Sequence, residues 1–349
     1  MSVWYARRED VKSALDIKQT ARADAQVDRA IGAASRTIEN VCNRVFYPTR
    51  ATRYFNWPSE QTRTTTPWRL WLDENEVISV IALSSGGVTI PATDYFLEPN
   101  EAGPPYDRIE LDLADNSTFG QNNTYQHDIA LEAVYGYDDN TTPAGTLVSS
   151  ISASATSLAV TDGTIGVGDL LTIDSEKLIV TGKAWLSTTD TSDNVLGESM
   201  ADDVVTPSGD PTNYAEGEVI AIGSEKMLVV EIMPAYLVVK RAWDGSTLAA
   251  HAASAPVLAK RTLQVQRGQL GTQAVGHLDT AGIGRQVFAE GVTSLCVALA
   301  LDQVLQEGSG YSRETGSGDN ARPATGAGLA AAVQRAYETC GRKARMKAV

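Results

Sequence analysis

Residues 168–180 read Gly-Asp-Leu-Leu-Thr-Ile-Asp-Ser-Glu-Lys-Leu-Ile-Val, and 49 positions later residues 217–229 read Gly-Glu-Val-Ile-Ala-Ile-Gly-Ser-Glu-Lys-Met-Leu-Val. In each copy apolar residues flank a tight Asp/Gly-Ser-Glu-Lys turn. That pattern predicts a β-hairpin, and its recurrence predicts a repeated module. A second element also occurs twice. Leu237–Arg241 leads through Gly245-Ser246 to His251, and Leu263–Arg267 leads through Gly271-Thr272 to His277, with ten residues from Arg to His each time. The chain order is hairpin, hairpin, Arg–His, Arg–His. The simplest reading is nesting: an outer module, 146–183 with 262–284, carries an inner module, 205–260, in one of its loops. Two modules that exchange strands are the rival arrangement. Ser/Thr/Asp-rich residues 187–213 serve as the entry linker. The Arg–His pairs are not read as catalytic. Their recurrence points to a fold requirement, with Arg and His bonding the backbone of a turn, and only the hairpin Ser-Glu-Lys recurs beside them.

Outward from the repeat the pattern changes twice. From Arg53 to Tyr137 it is strand-like: Val77–Leu83 is a β-branched run ending at Ser84-Ser85-Gly86-Gly87, while Ile109/Leu111/Leu113 and Ile129/Leu131/Ala133 alternate cleanly. Before it, Arg8–Lys18 and Ala23–Val45 read as helices. In the second, Val27, Ile31, Ala34, Ile38 and Val41 lay a narrow apolar stripe on one face, and Pro48 is taken as its stop. After the repeat, Gln286–Gln306 and Leu329–Lys343 read as helices joined by a Gly/Ser-rich connector, 314–328.

The whole chain has 349 residues and a net charge of −14, a length that suggests roughly two domains of about 150 residues. Residues 1–140 and 141–284 each carry −8, whereas 285–349 carry +2. Such an acidic body argues against a sequence-reading nucleic-acid binder or a protein docked on anionic lipid. Three scattered cysteines (Cys42, Cys296, Cys340) give no disulfide framework and no zinc pattern. The N-terminus lacks the apolar segment of a signal peptide and no apolar run reaches about 18 residues, so a soluble protein made in a reducing cytoplasm is expected. Phosphate-binding, dinucleotide, HExxH and GxSxG motifs are absent, and three histidines offer little for a triad or metal site. Asp138-Asp139-Asn140 reads as a solvated turn. Trp57, Trp68 and Trp71 read as strand core or subunit contact before sugar platform. No catalytic, metal-binding or cofactor-binding residue is predicted, and the chain is not read as an enzyme.

Several segments resemble the head–tail connector (adaptor, head-completion) family of tailed double-stranded DNA bacteriophages. They are Ala33–Glu39 running into Cys42-Asn43-Arg44-Val45-Phe46, Asp94–Asn100 followed by Pro104–Leu111, and Ile129–Tyr137 before the closing helices. The family is usually much shorter, and the large 141–284 insertion is the departure. The resemblance implies a helical adaptor core with a small β-sheet part, built from 1–140 and 285–349; with 141–284, which the repeat makes an inserted all-β domain of two nested modules, the expected fold class is α+β. It implies a virion protein at the portal vertex, in a ring of about twelve copies between portal and tail. That ring would extend the DNA channel and give the tail, or a stopper or tail-terminator protein, its platform. Genomic DNA would slide past an acidic lumen without sequence-specific binding. The stripe Val27, Ile31, Ala34, Ile38, Val41 suits packing between neighbouring subunits. Arg335, Arg342, Lys343, Arg345 and Lys347 suit docking on an acidic portal face, though helix-end cations that answer the macrodipole read equally well. A carbohydrate- or receptor-binding virion module using the β insertion is the alternative.

Overall fold

An apolar residue every third or fourth position gives a helix one face to bury, and each helix of this chain buries its face against the others. The computed structural model describes residues 2–15, 24–58, 66–101, 103–308, 314–315, 322–323 and 327–342. Within them lie α1 (Arg8–Leu15), α2 (Asp24–Cys42), α3 (Glu290–Gly308) and α4 (Ala327–Cys340). One cluster joins Val11 of α1, Val27, Ile31, Ala34 and Ile38 of α2, Val292, Leu295, Ala300 and Val304 of α3 and Ala336 of α4, with Trp4, Tyr5 and Phe46. The α2 stripe is therefore turned inward on its own chain. Val27, Ile31, Ala34 and Ile38 are at most 3% exposed and Val41 is half-buried, which leaves this stripe no apolar face for a neighbouring subunit. Small residues along α2 admit α1, α3 and α4. The helix also ends earlier than Pro48. Asn43 takes the left-handed conformation (φ 49°) and the Arg44 N–H reaches back to the Glu39 carbonyl at 3.2 Å, which closes the last turn.

Strands dominate what remains. β1 (Thr49–Phe55), β2 (Arg69–Trp71), β3 (Val77–Ser85), β4 (Val88–Ile90), β5 (Tyr95–Glu98), β6 (Arg108–Leu111) and β7 (Ile129–Tyr135) form two antiparallel sheets, ordered β1-β7-β3-β4 and β2-β6-β5. Alternation in β7 turns Ile129, Leu131, Ala133 and Tyr135 to one side. There they meet Ile109 and Leu111 of β6 in a core separate from the helical one.

The third sheet is the largest, with ten strands. It comprises β8 (Thr141–Thr146), β9 (Ser157–Ala159), β10 (Leu170–Ile173), β11 (Glu176–Ser192), β12 (Val204–Val205), β13 (Val219–Ile222), β14 (Glu225–Ile232), β15 (Leu237–Lys240), β16 (Ala255–Gln266) and β17 (Gly282–Gln286). Its order is β12-β15-β14-β13-β16-β11-β10-β17-β8, with β9 also on β16. The repeated stretches are the hairpins β10–β11 and β13–β14. β11 and β16 are long and run side by side from Ile179↔Gln266 to Ser192↔Ala255, with bulges between. One end of this pair, including Val180 and Val265, belongs to an outer core, and the other, including Val257 and Ala259, to an inner core.

This architecture corrects the expected fold class. The chain is mostly β, with 36% of it in strands against 22% in helices, so it is not a helical core that carries a small sheet. The reason is physical. The 49–135 region owns a complete apolar core independent of the helices, and the repeat region joins into one continuous sheet through β11 and β16.

Candidate functional site

The constellation that looks most like chemistry sits at the two repeats. In the outer copy Glu176 opens β11, and its carboxylate accepts five hydrogen bonds: Arg267 Nε and Nη2 (2.7 and 2.7 Å), His277 Nε2 (2.9 Å) and the backbone N–H groups of Gly268 (2.8 Å) and Val275 (3.1 Å). In the inner copy Glu225 opens β14 and accepts the same five from Arg241 Nε and Nη2 (2.7 and 2.8 Å), His251 Nε2 (2.8 Å), Ala242 N–H (3.0 Å) and Ala249 N–H (3.2 Å). The match extends to the backbone. Gly268 and Leu270 adopt φ of 58° and 55°, and their counterparts Ala242 and Asp244 adopt 52° and 50°. Glu176 thus joins Arg267 and His277, and Glu225 joins Arg241 and His251, which is the nested order. The Arg side chains bond a carboxylate as well as backbone carbonyls, whereas among the described residues the His rings bond carboxylates and not the backbone. The recurring Ser-Glu-Lys turn was the signal for that carboxylate.

Both carboxylates are fully buried. Burial alone would raise their pKa, but the Arg, His and backbone donors outweigh it and hold each at about 2. Arg267 Nη1 also donates to the carbonyls of Ser152 (3.0 Å) and Ala155 (3.1 Å), and Arg241 Nη1 to those of Asp202 (2.9 Å) and Gly197 (3.3 Å). With both carboxylates and both guanidinium groups engaged, the knots fasten a loop to a hairpin.

A second feature is a cleft of about 310 Å³ between α1 and the junction of the two modules. Ser13 and Lys12 of α1, Thr164, Lys183 of β11, Lys260 of β16, Val219, Leu228 and Trp243 border it. Lys183 donates to the Gly163 carbonyl at 3.0 Å and to the Ile165 carbonyl. Lys260 lies over the Trp185 ring, 5.2 Å from its centroid. Burial pushes the pKa of both lysines down. Nothing in the sequence reading singled these lysines out. Extending the 26-residue offset between the two Arg–His elements to position 260 was the signal, because it sets Lys260 against Gln286 of the other copy.

Of the basic C-terminal residues, Arg335 is exposed on α4. Arg342 is tied down, its N–H to the Cys42 carbonyl at 2.8 Å and its guanidinium to the carbonyls of Asn43 (3.2 Å) and Asp73. Lys343, Arg345 and Lys347 lie outside the described residues. Trp68 and Trp71 are half-buried with Arg69 stacked over both (4.6 and 5.8 Å) and Arg108 over Trp71 (5.3 Å), while Trp57 packs along Gly120. Asp139 of the predicted turn pairs with Lys177 at 2.5 Å. Among the described residues no group of three or more His, Cys, Asp or Glu is arranged to hold a metal ion, and no helix is long and apolar enough to cross a membrane. The chain matches no protein-family model, no curated protein and no solved structure.

Proposed function

We propose that the chain is a non-enzymatic structural virion protein that forms a ring between portal and tail, lengthens the DNA channel and gives the tail its attachment platform. The observation that carries this reading is the closure of both Glu–Arg–His knots. Their carboxylates and guanidinium groups are buried and saturated within the fold, as in a chain built for rigidity. The resemblance of the flanking segments to head–tail connectors supplies the location, and the net charge of −14 suits a conduit that does not hold phosphates. Because the α2 stripe serves the chain's own core, subunit contacts fall to other surfaces. The two-sheet unit offers exposed Tyr54, Ile81, Val88 and Phe96. The basic residues from Arg335 onward remain the proposed portal contact. The glycan-binding alternative gains nothing from the insertion's tryptophans: Trp185 lies under Lys260 and Trp243 under Lys240.

Cryo-electron microscopy of native particles, and of the chain co-assembled with portal, tests the reading. A ring of this chain coaxial with the portal is expected, and removal of 343–349 is expected to weaken portal binding. A chain found only at the tail tip, or absent from particles, overturns it.

A further inference from the structure

The two copies of the repeat part company at position 260. Leu171 lies opposite Arg285, and its counterpart Ile220 lies opposite Ala259, so Lys260 occupies in the inner module the place of Gln286 in the outer one. Gln286 is neutral and donates to Asp138 Oδ1 at 3.1 Å. The fold therefore does not require a cation there. Lys260 nevertheless has no hydrogen bond or ion pair among the described residues, only the Trp185 ring beside it, and it borders the cleft together with Lys183. An ammonium carries three donors, and Lys183 places two on carbonyls. Three of the cleft's acids are matched elsewhere. Asp10 is held by Arg7, Asp24 by Arg8 and Lys12, and Asp244 by Lys12 and Lys226. Glu9 accepts the Val167 N–H at 2.8 Å, and Glu216 is exposed.

We infer that this cleft binds a phosphoryl group, with Lys260 and Lys183 supplying the charge and the Ser13 and Thr164 hydroxyls lying along its border. A tetrahedral oxyanion accepts from separate point donors such as ammonium groups. A guanidinium fork matches carboxylate and phosphate alike, but the forks of Arg7 and Arg8 already hold Asp10 and Asp28, which leaves the lysines as point charges for phosphate oxygens. The volume is at the lower end of the roughly 300–1,000 Å³ of ligand pockets, which suits a small molecule and not a polymer. The depressed lysine pKa values agree: desolvation outweighs the attraction of the nearby carboxylates, Asp244 and Glu9 for Lys260 and Glu9, Glu218 and Asp169 for Lys183, and a bound anion offsets that penalty. The phosphoryl group is either free phosphate or the ester of a mononucleotide, whose base would have Val219 and Leu228 to lie against.

The full-length chain, prepared without phosphate, is titrated with inorganic phosphate and separately with uridine monophosphate, followed by calorimetry and tryptophan fluorescence, with chloride as control. Saturable binding is expected, weakened by about tenfold or more in Lys260→Gln, a variant that copies the residue of the sister module and keeps its Tm. Tighter binding of the monophosphate identifies an organic ester, and equal binding identifies free phosphate. In the unaltered protein, phosphate is expected to protect Lys260 from acetylation, read by peptide mass mapping. Absence of saturable binding of both probes up to about 20 mM, equal affinity in Lys260→Gln, or unchanged Lys260 acetylation overturns the inference.

Discussion

Glu225 and Glu176 make a heavy demand on their surroundings. Each is an anion with no access to water, tolerated because a guanidinium fork, an imidazole and two backbone N–H groups converge on it. Glu225→Gln turns one acceptor into a donor facing N–H groups and leaves Arg241 buried without a counter-charge. A loss of about 3–5 kcal/mol is expected in urea unfolding. The double variant Glu225→Gln with Arg241→Met is expected to lose less than the sum of its parts. The folded carboxylates sit at about 2 against an ordinary 4.5, so the unfolded chain takes up protons first as the pH falls. Their stabilisation is complete above about pH 5 and disappears as the pH falls toward 2. Acid titration followed by circular dichroism is expected to show unfolding in that window, beginning at higher pH in Glu176→Gln than in the unaltered chain, because that variant starts with less stability.

At the scale of elements, the two hairpins differ in what lies against them. Gly168 and Gly217 are equivalent and both have positive φ (102° and 82°). A Cβ on Gly168 falls 2.5 Å from Trp4 Cε3, whereas one on Gly217 meets nothing within 4 Å. Gly217→Ala is expected to cost about 1 kcal/mol for its conformation alone. Gly168→Ala is expected to cost about 1–3 kcal/mol more, because the segment before α1 must shift. Thermal unfolding of the pair separates docking from backbone strain. The hairpins were legible in the sequence because their turn residues and apolar alternation repeat. The Glu–Arg–His knots were half legible: the residue types recur, but Glu176 and Arg267 are 91 positions apart and the β11–β16 pairing is what brings them together. The α2 stripe was legible as a buried face, but not what buries it, since periodicity is silent on whether the covering helix belongs to the same chain. Lys260 was hidden because its face depends on the register of β16 across a bulge.

For the whole molecule, the weight of β structure follows from nesting. Inserting one module into a loop of another extends two strands through both and fuses two small sheets into one. Ser187 and Leu258 are cross-strand partners on that shared pair, so replacing 188–257 with Asn-Gly makes an ordinary hairpin closure. The shortened chain is expected to keep its helical, two-sheet and outer cores and to unfold cooperatively, with circular dichroism and thermal melting as the check. It loses the contact of Lys12 with Asp244. Loss of all cooperative unfolding would show that the inner module is required by the rest.

The shared pair also decides how the protein bears load. A pull on the inner module tugs β11 and β16 in the same direction, so the two strands do not slide past each other, and the covalent backbone carries tension directly into the body. The sliding falls instead on β10 and β9, their partners in the outer module, where ladder hydrogen bonds lie across the strands and resist together. The Glu176 knot ties the root of β11 to Arg267, just beyond β16. Under traction the module therefore behaves as a two-stranded tether anchored in shear, with a salt-bridged rivet at its base.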